Sequence, residues 1–281
     1  MKERVFIASL LWLATASAQQ ENLVPAIGAL ERGDYRQAID SLRPLATDGT
    51  VEAQYVLGTV LETAPAPFRD LQAARDWYQR AAESGHPGAQ NNLGAMYYDG
   101  RGALINPLEA AKWYRLAADQ GHAVAQTNLA LMYGMGLGVP QDLTEMANLL
   151  QKAAEAGEPR AQAQLGRLYL DGEGVAQNAA EALKWFRSAA AQDNDSAQLF
   201  LAIMLQRGIG GPRDLEAATA WFRRAANRGN RLAMLELAKA YQLGMGVPAD
   251  PAQAKSWRER AQAKPDESRR EQRADPSRTR P

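Results

Sequence analysis

In GAQNNLGAMYYDG, residues 88–100, the apolar residues Ala89, Leu93, Met96 and Tyr97 recur at a spacing of three and four. That is the period of a helix with one buried face. In NPLEAAKWYRLAADQG, residues 106–121, Ala110, Tyr114, Ala117 and Ala118 form a second such face, with small residues set against large ones. Two helices of about 12 to 14 residues are predicted, each roughly 18 to 21 Å long at 1.5 Å per residue. Gly94 lies beside the first face, where its missing side chain lets a neighbouring helix approach closely.

The same pattern returns along the chain on a ruler of 36 residues. Trp77, Trp113, Trp185, Trp221 and Trp257 fall on it, with Leu149 filling the gap. So do Ala53-Gln54, Ala89-Gln90, Ala125-Gln126, Ala161-Gln162 and Ala197-Gln198, and alanine pairs beginning at Ala81, Ala117, Ala153, Ala189 and Ala225. Before each second helix stands an Asp or Asn, at Asp34, Asp70, Asn106, Asp142, Asn178, Asp214 and Asp250. These side chains accept from the free N–H groups of a helix start. Gly49, Gly85, Gly121, Gly157 and Gly229 follow the second helices, as left-handed helix ends require, and Asp193 takes that place once. One such pair cannot bury both of its faces, so neighbouring pairs must stack.

The Ala-x-x-x-Leu-Gly-x-x-Tyr run at Ala89, Leu93, Gly94 and Tyr97, the Gly-x-Gly loop, the Asp or Asn cap, the Trp-aromatic pair and the Ala-Ala pair together resemble the Sel-like repeat family. That family is related to the tetratricopeptide repeats. The resemblance covers residues 50–264 in six units, and residues 19–49 resemble one shorter tetratricopeptide-like helix pair. It implies an all-α fold: a right-handed α-solenoid of stacked antiparallel helix pairs, its first helices lining a concave groove.

If residues 89, 93 and 97 face the core, then 92, 95 and 99 lie opposite at 100° per residue. Down the array this stripe varies while the scaffold positions repeat. From it come the candidate partner contacts Asn92, Asn128, Leu131, Met135, Arg167, Phe200, Ile203 and Arg207. Phe200 and Ile203 either anchor a partner or pack on adjacent units.

Five loops carry paired glycines, among them Gly136 and Gly138 in GLGVPQD and Gly244 and Gly246 in GMGVPAD. A dinucleotide fingerprint needs a preceding strand in a βαβ unit. Here a helix precedes each loop and a cap ends it, so the glycines read as hinges of the repeat. In the first unit APAP, residues 64–67, replaces them, and a different bend is expected there. His86 and His122 lie 36 apart on equivalent turns, too far to share one metal, and read as polar turn residues. DND at 193–195 lacks the Gly and Glu of a calcium loop. No nucleophile motif of a serine hydrolase or β-lactamase is present. The Trp series belongs to the repeat core rather than to a sugar-stacking row.

Composition narrows the rest. Lys plus Arg and Asp plus Glu are 32 each, so no net field points to nucleic acid. There is no Cys, which removes disulfides and thiolate chemistry. Residues 1–18 combine a basic start, an apolar run of about ten and a small-residue end, the layout of a secretory signal peptide. Residues 265–281 hold no large apolar side chain and read as a disordered tail. The expectation is an exported, periplasmic monomer without a membrane span in its mature chain and without a cofactor. It would act as a non-catalytic scaffold or regulatory adaptor for a protein or peptide partner. The alternative is an envelope protein that binds or hydrolyses β-lactams or peptidoglycan fragments.

Overall fold

A computed structural model describes residues 22–263; the leader expected at 1–18 and the tail expected at 265–281 lie outside the described residues. The chain forms two compact units that meet in sequence between Gln141 and Asp142. The first unit contains α1 (Val24–Glu31), α2 (Tyr35–Thr47), α3 (Val51–Thr63), α4 (Leu71–Glu83), α5 (Pro87–Asp99), α6 (Pro107–Asp119) and α7 (Ala123–Met135). The second contains α8 (Leu143–Glu155), α9 (Pro159–Asp171), α10 (Ala179–Ala191), α11 (Asp195–Arg207), α12 (Leu215–Asn227), α13 (Arg231–Leu243) and α14 (Pro251–Gln262). Within each unit every helix packs on the next, so the fold is the all-α solenoid of stacked pairs that the 36-residue ruler predicts. Among the described residues there is no strand.

The punctuation works as read. All seven Asp and Asn caps accept hydrogen bonds from the first turn of the helix they precede. Gly100, Gly136, Gly172, Gly208 and Gly244 end first helices in the left-handed conformation, and Asp193 adopts it at φ 60°. The second loop glycine does more than turn the chain. A Cβ on Gly138 would lie 2.1 Å from the carbonyl oxygen of Pro107, at the start of α6 in the preceding repeat. Gly102, Gly174, Gly210 and Gly246 press in the same way on Leu71, Leu143, Ala179 and Leu215. These glycines therefore set the spacing between repeats as well as the bend within one. The APAP loop is indeed different: α3 ends at Ala64 in extended backbone, not on a left-handed residue.

Inside each pair, Gly58, Gly94 and Gly166 lie under the rings of Tyr78, Tyr114 and Phe186, where a Cβ would come within 2.8–3.2 Å of the ring. The close approach expected at Gly94 is thus a ring-on-backbone contact. The repeated glutamine also has a reason. Gln54, Gln90, Gln126 and Gln162 are buried, and each donates its Nε2 to the carbonyl of Ala46, Ala82, Ala118 or Ala154, at 3.1–3.2 Å. Each bond brings a second donor to a carbonyl at the end of the preceding helix, which also accepts from the N–H of Gly49, Gly85, Gly121 or Gly157. Gln198 donates instead to Asp193, 3.1 Å away, where Asp replaces the usual Gly. The tryptophans of the repeats, Trp77, Trp113, Trp185, Trp221 and Trp257, lie in or against the core, and cationic side chains lie over their rings: Arg80 over Trp77 at 4.6 Å, Arg260 over Trp257 at 4.0 Å.

Candidate partner-binding face

First helices bury the alanine, leucine and glycine of the repeat, so their opposite faces carry what remains free. In the first unit, Asn92 and Asn128 are half-buried, with an amide row between them: Asn91 donates to Asn92, and Asn128 donates to Asn91, both at 3.1 Å. The Asn128–Asn91 bond therefore links α7 to α5, Asn92 steadies Asn91 within α5, and both Asn92 and Asn128 are only partly available to a partner. Leu131 is half-buried, while Met135 at the end of α7 is 52% exposed.

In the second unit the stripe gathers into a site. Arg160, Ala163, Gln164 and Arg167 of α9, Phe186 of α10, Asn194, and Ser196 and Phe200 of α11 line one recess of about 210 Å³. Phe200 stacks on Phe186, with ring centroids 5.1 Å apart and planes 13° off parallel. It thus packs on the core, as does Ile203, and each keeps a half-buried outer surface. Arg207 is exposed in the last turn of α11. Asn194 is already engaged: its amide donates to Pro159 at 3.3 Å and its oxygen caps Ala197. Arg160, Gln164, Arg167 and Ser196, by contrast, have no hydrogen-bond or ion-pair partner among the described residues. The acids around the start of α11 are tied elsewhere, Asp193 and Asp195 both to Arg228.

Arg160, Ser196 and Phe186 are missing from the sequence-derived set. Extending the stripe one turn toward the helix starts gives Gly88, Val124, Arg160, Ser196 and Leu232, so the first two were within reach of the same periodicity. Also unanticipated is an apolar knuckle on the first unit, where Leu104, Ile105 and Leu108 are 90%, 68% and 68% exposed. At the equivalent places the next repeat carries Pro140, Gln141 and Thr144.

The titratable groups serve the scaffold. His86 and His122 are helix caps: their Nδ1 atoms accept from the N–H of Ala89 and Ala125 at 3.0 and 3.2 Å. His86 Nε2 lies 3.1 Å from the Glu52 carboxylate, and its ring stacks on Tyr55 at 4.3 Å. Burial, with a smaller contribution from His86, pushes the His122 ring below its ordinary value. Burial and the Glu62 charge push the Tyr78 phenol well above its ordinary value, so its hydroxyl stays protonated and donates to Glu62 at 2.8 Å. Among the described residues no three acidic or histidine side chains converge as a metal set, and no helix is long and apolar enough to cross a membrane.

Comparison with known proteins agrees with this architecture. The family model described as Sel1 repeat matches residues 51–86, 87–122, 123–158, 159–194, 195–230 and 231–261. A Sel1 repeat protein from Oxalobacter formigenes is similar in structure, with a TM-score of 0.74 and 32% identity over 87% of this chain and 99% of that one. So is c5321, a protective antigen of uropathogenic Escherichia coli strains displaying an SLR fold, with a TM-score of 0.75 and 34% identity. That match covers 79% of this chain and 48% of the other, so this chain spans about half the length of c5321. No curated protein matches the sequence.

Proposed function

Because the chain belongs to the Sel1 repeat family, we propose that it is a non-catalytic scaffold or regulatory adaptor that holds a protein or peptide partner on the outward face of its first helices. The observation that carries this reading is the contrast between two sets of positions on the same helices. Core, cap and loop positions repeat and are spent on packing, whereas the opposite stripe changes from unit to unit. In the second unit that stripe supplies unpaired polar groups around an aromatic floor. Free polar groups beside a partly exposed aromatic surface are the ingredients of a protein contact.

The leader-like residues 1–18 support export, and we place the protein in a bacterial cell envelope, in the periplasm, acting as a monomer. The test is to crosslink the chain in its own compartment and identify what is captured. Met135→Glu, Arg167→Glu and Arg207→Glu together should abolish capture without unfolding the protein, since all three side chains are exposed. A partner retained at full yield by this folded variant would remove the stripe from the account.

A further inference from the structure

We infer that the α9–α11 recess is a receptor for an acidic peptide segment, one that presents two carboxylates three residues apart on either side of an apolar residue. The inference rests on the scaffold reading above and names the chemistry of its site.

Three observations lead to it. First, the charged groups in the recess are both guanidinium groups, Arg160 and Arg167, and neither has an acidic partner among the described residues. The acids at the start of α11, Asp193 and Asp195, pair with Arg228, and the Glu158 carboxylate caps Ala161, so none of the three forms an ion pair with either arginine. Guanidinium groups bind carboxylates with paired, charge-assisted hydrogen bonds. Second, the recess holds about 210 Å³. Pockets that enclose drug-sized ligands run to about 300–1,000 Å³. This one admits a side chain or two, with the remainder of the ligand lying outside, as a peptide does. Third, the Phe186–Phe200 stack gives the recess an apolar floor, beside which Gln164 and Ser196 offer unpaired hydrogen-bonding groups suited to a peptide backbone.

The spacing follows from helix geometry. Arg160 and Arg167 share a face of α9, two turns apart, which separates their Cα atoms by about 10 Å at 1.5 Å per residue. In a polyproline II segment, residues three apart share one edge and lie about 9 Å apart. Two carboxylates at that interval meet the two arginines, and a residue between them reaches Phe200. A free carboxylate or phosphate meets only one arginine at a time and gains nothing from the aromatic floor.

The experiment uses the full chain and a fluorescein-labelled dodecapeptide with Asp-Leu-Pro-Asp at its centre, read by anisotropy at low salt. Saturable binding is expected, weaker by about tenfold or more when both Asp are replaced by Asn. A permuted peptide with adjacent acids, Asp-Asp-Leu-Pro, should also bind more weakly. Arg160→Gln/Arg167→Gln should weaken the native probe by about tenfold or more, whereas Lys152→Gln/Arg187→Gln, the same charge change on second helices, should shift it by less than about twofold. Both pairs are exposed, and circular dichroism checks that the variants fold.

Equal binding of the Asn peptide overturns acid recognition, and equal binding of the permuted peptide overturns the two-point spacing. Full competition by millimolar acetate or phosphate overturns it in favour of a small-anion site. A concentration-dependent dimer lost in Arg160→Gln/Arg167→Gln overturns it in favour of a second copy of this chain. Absence of peptide binding while a crosslinked partner still depends on Met135, Arg167 and Arg207 overturns this inference alone. Absence of both overturns the scaffold reading with it.

Discussion

Gly136 and Gly138 offer a controlled test of what holds successive repeats together. Both are left-handed, at φ 67° and 68°, so replacing either by Ala imposes the same backbone strain. That strain costs about 1–2 kcal/mol. Their surroundings differ. A Cβ on Gly136 meets nothing nearer than Gln141 Cβ at 3.5 Å, an ordinary contact. On Gly138 it would stand 2.1 Å from the Pro107 carbonyl oxygen and 2.4 Å from its carbon, which are backbone atoms at the start of α6. To reach van der Waals separation, α6 must move away by about an ångström or more, and overpacking of this kind costs a further 1–3 kcal/mol, roughly. Gly136→Ala should therefore lose about 1–2 kcal/mol and Gly138→Ala about 2–5 kcal/mol. Because the clash falls between repeats, Gly138→Ala should also broaden the transition, as expected when a nearest-neighbour interface weakens. Urea unfolding followed by far-ultraviolet circular dichroism measures both midpoint and slope. If the two variants agree within about 0.5 kcal/mol, the loop glycine is only a turn residue and its spacing role is refuted.

His122 caps α7 through a neutral Nδ1, and its folded value lies below the ordinary one. Its contribution is complete above about pH 6.5 and falls as pH drops through the folded value, because the unfolded chain takes the proton first. His122→Asn, the residue type at Asn194 and Asn230, should keep stability at pH 7 and remove this histidine's acid slope, measured as urea midpoints against pH; an unchanged slope refutes the cap. Tyr78→Phe removes hydrogen bonds to Glu62 and Thr59 and should cost about 1–2 kcal/mol in the same unfolding assay. Leu104→Gln with Leu108→Thr changes exposed side chains and should alter stability by less than about 0.5 kcal/mol while reducing dye binding to exposed apolar surface. A chromogenic β-lactam should remain intact in the presence of the protein, and turnover above a buffer blank would contradict the non-catalytic reading.

Much of the fold is legible in the sequence because its determinants are local. Asp and Asn caps, left-handed glycines and alanine faces each act within a few residues, and a 36-residue repeat states the same rule several times over. Less legible are the contacts that cross repeats. Nothing in GLGVPQD reveals that Gly138 abuts Pro107, a residue 31 positions earlier. The repeated glutamine is visible on the ruler, but its partner is a backbone carbonyl, which every residue has. His86 and His122 read as turn residues because His is an uncommon cap; position, not residue type, gives them the role. The candidate stripe is legible as a face and not as a site. Periodicity places Arg167 and Phe200 outward, but only packing shows Phe200 stacked on Phe186, with Arg160 and Ser196 closing the recess around them.

The central claim is that the outward faces of the first helices hold the partner. Photo-crosslinking resolved by position tests it most directly, with a photoreactive residue placed in turn at Met135, Arg167 and Arg207, and at Lys112, Lys152 and Arg187 on second helices. All six side chains are exposed, so each substituted chain should fold. The account predicts that one partner is captured from the first-helix positions and not from the second-helix positions. Capture of that partner mainly from Lys112, Lys152 or Arg187 would contradict it.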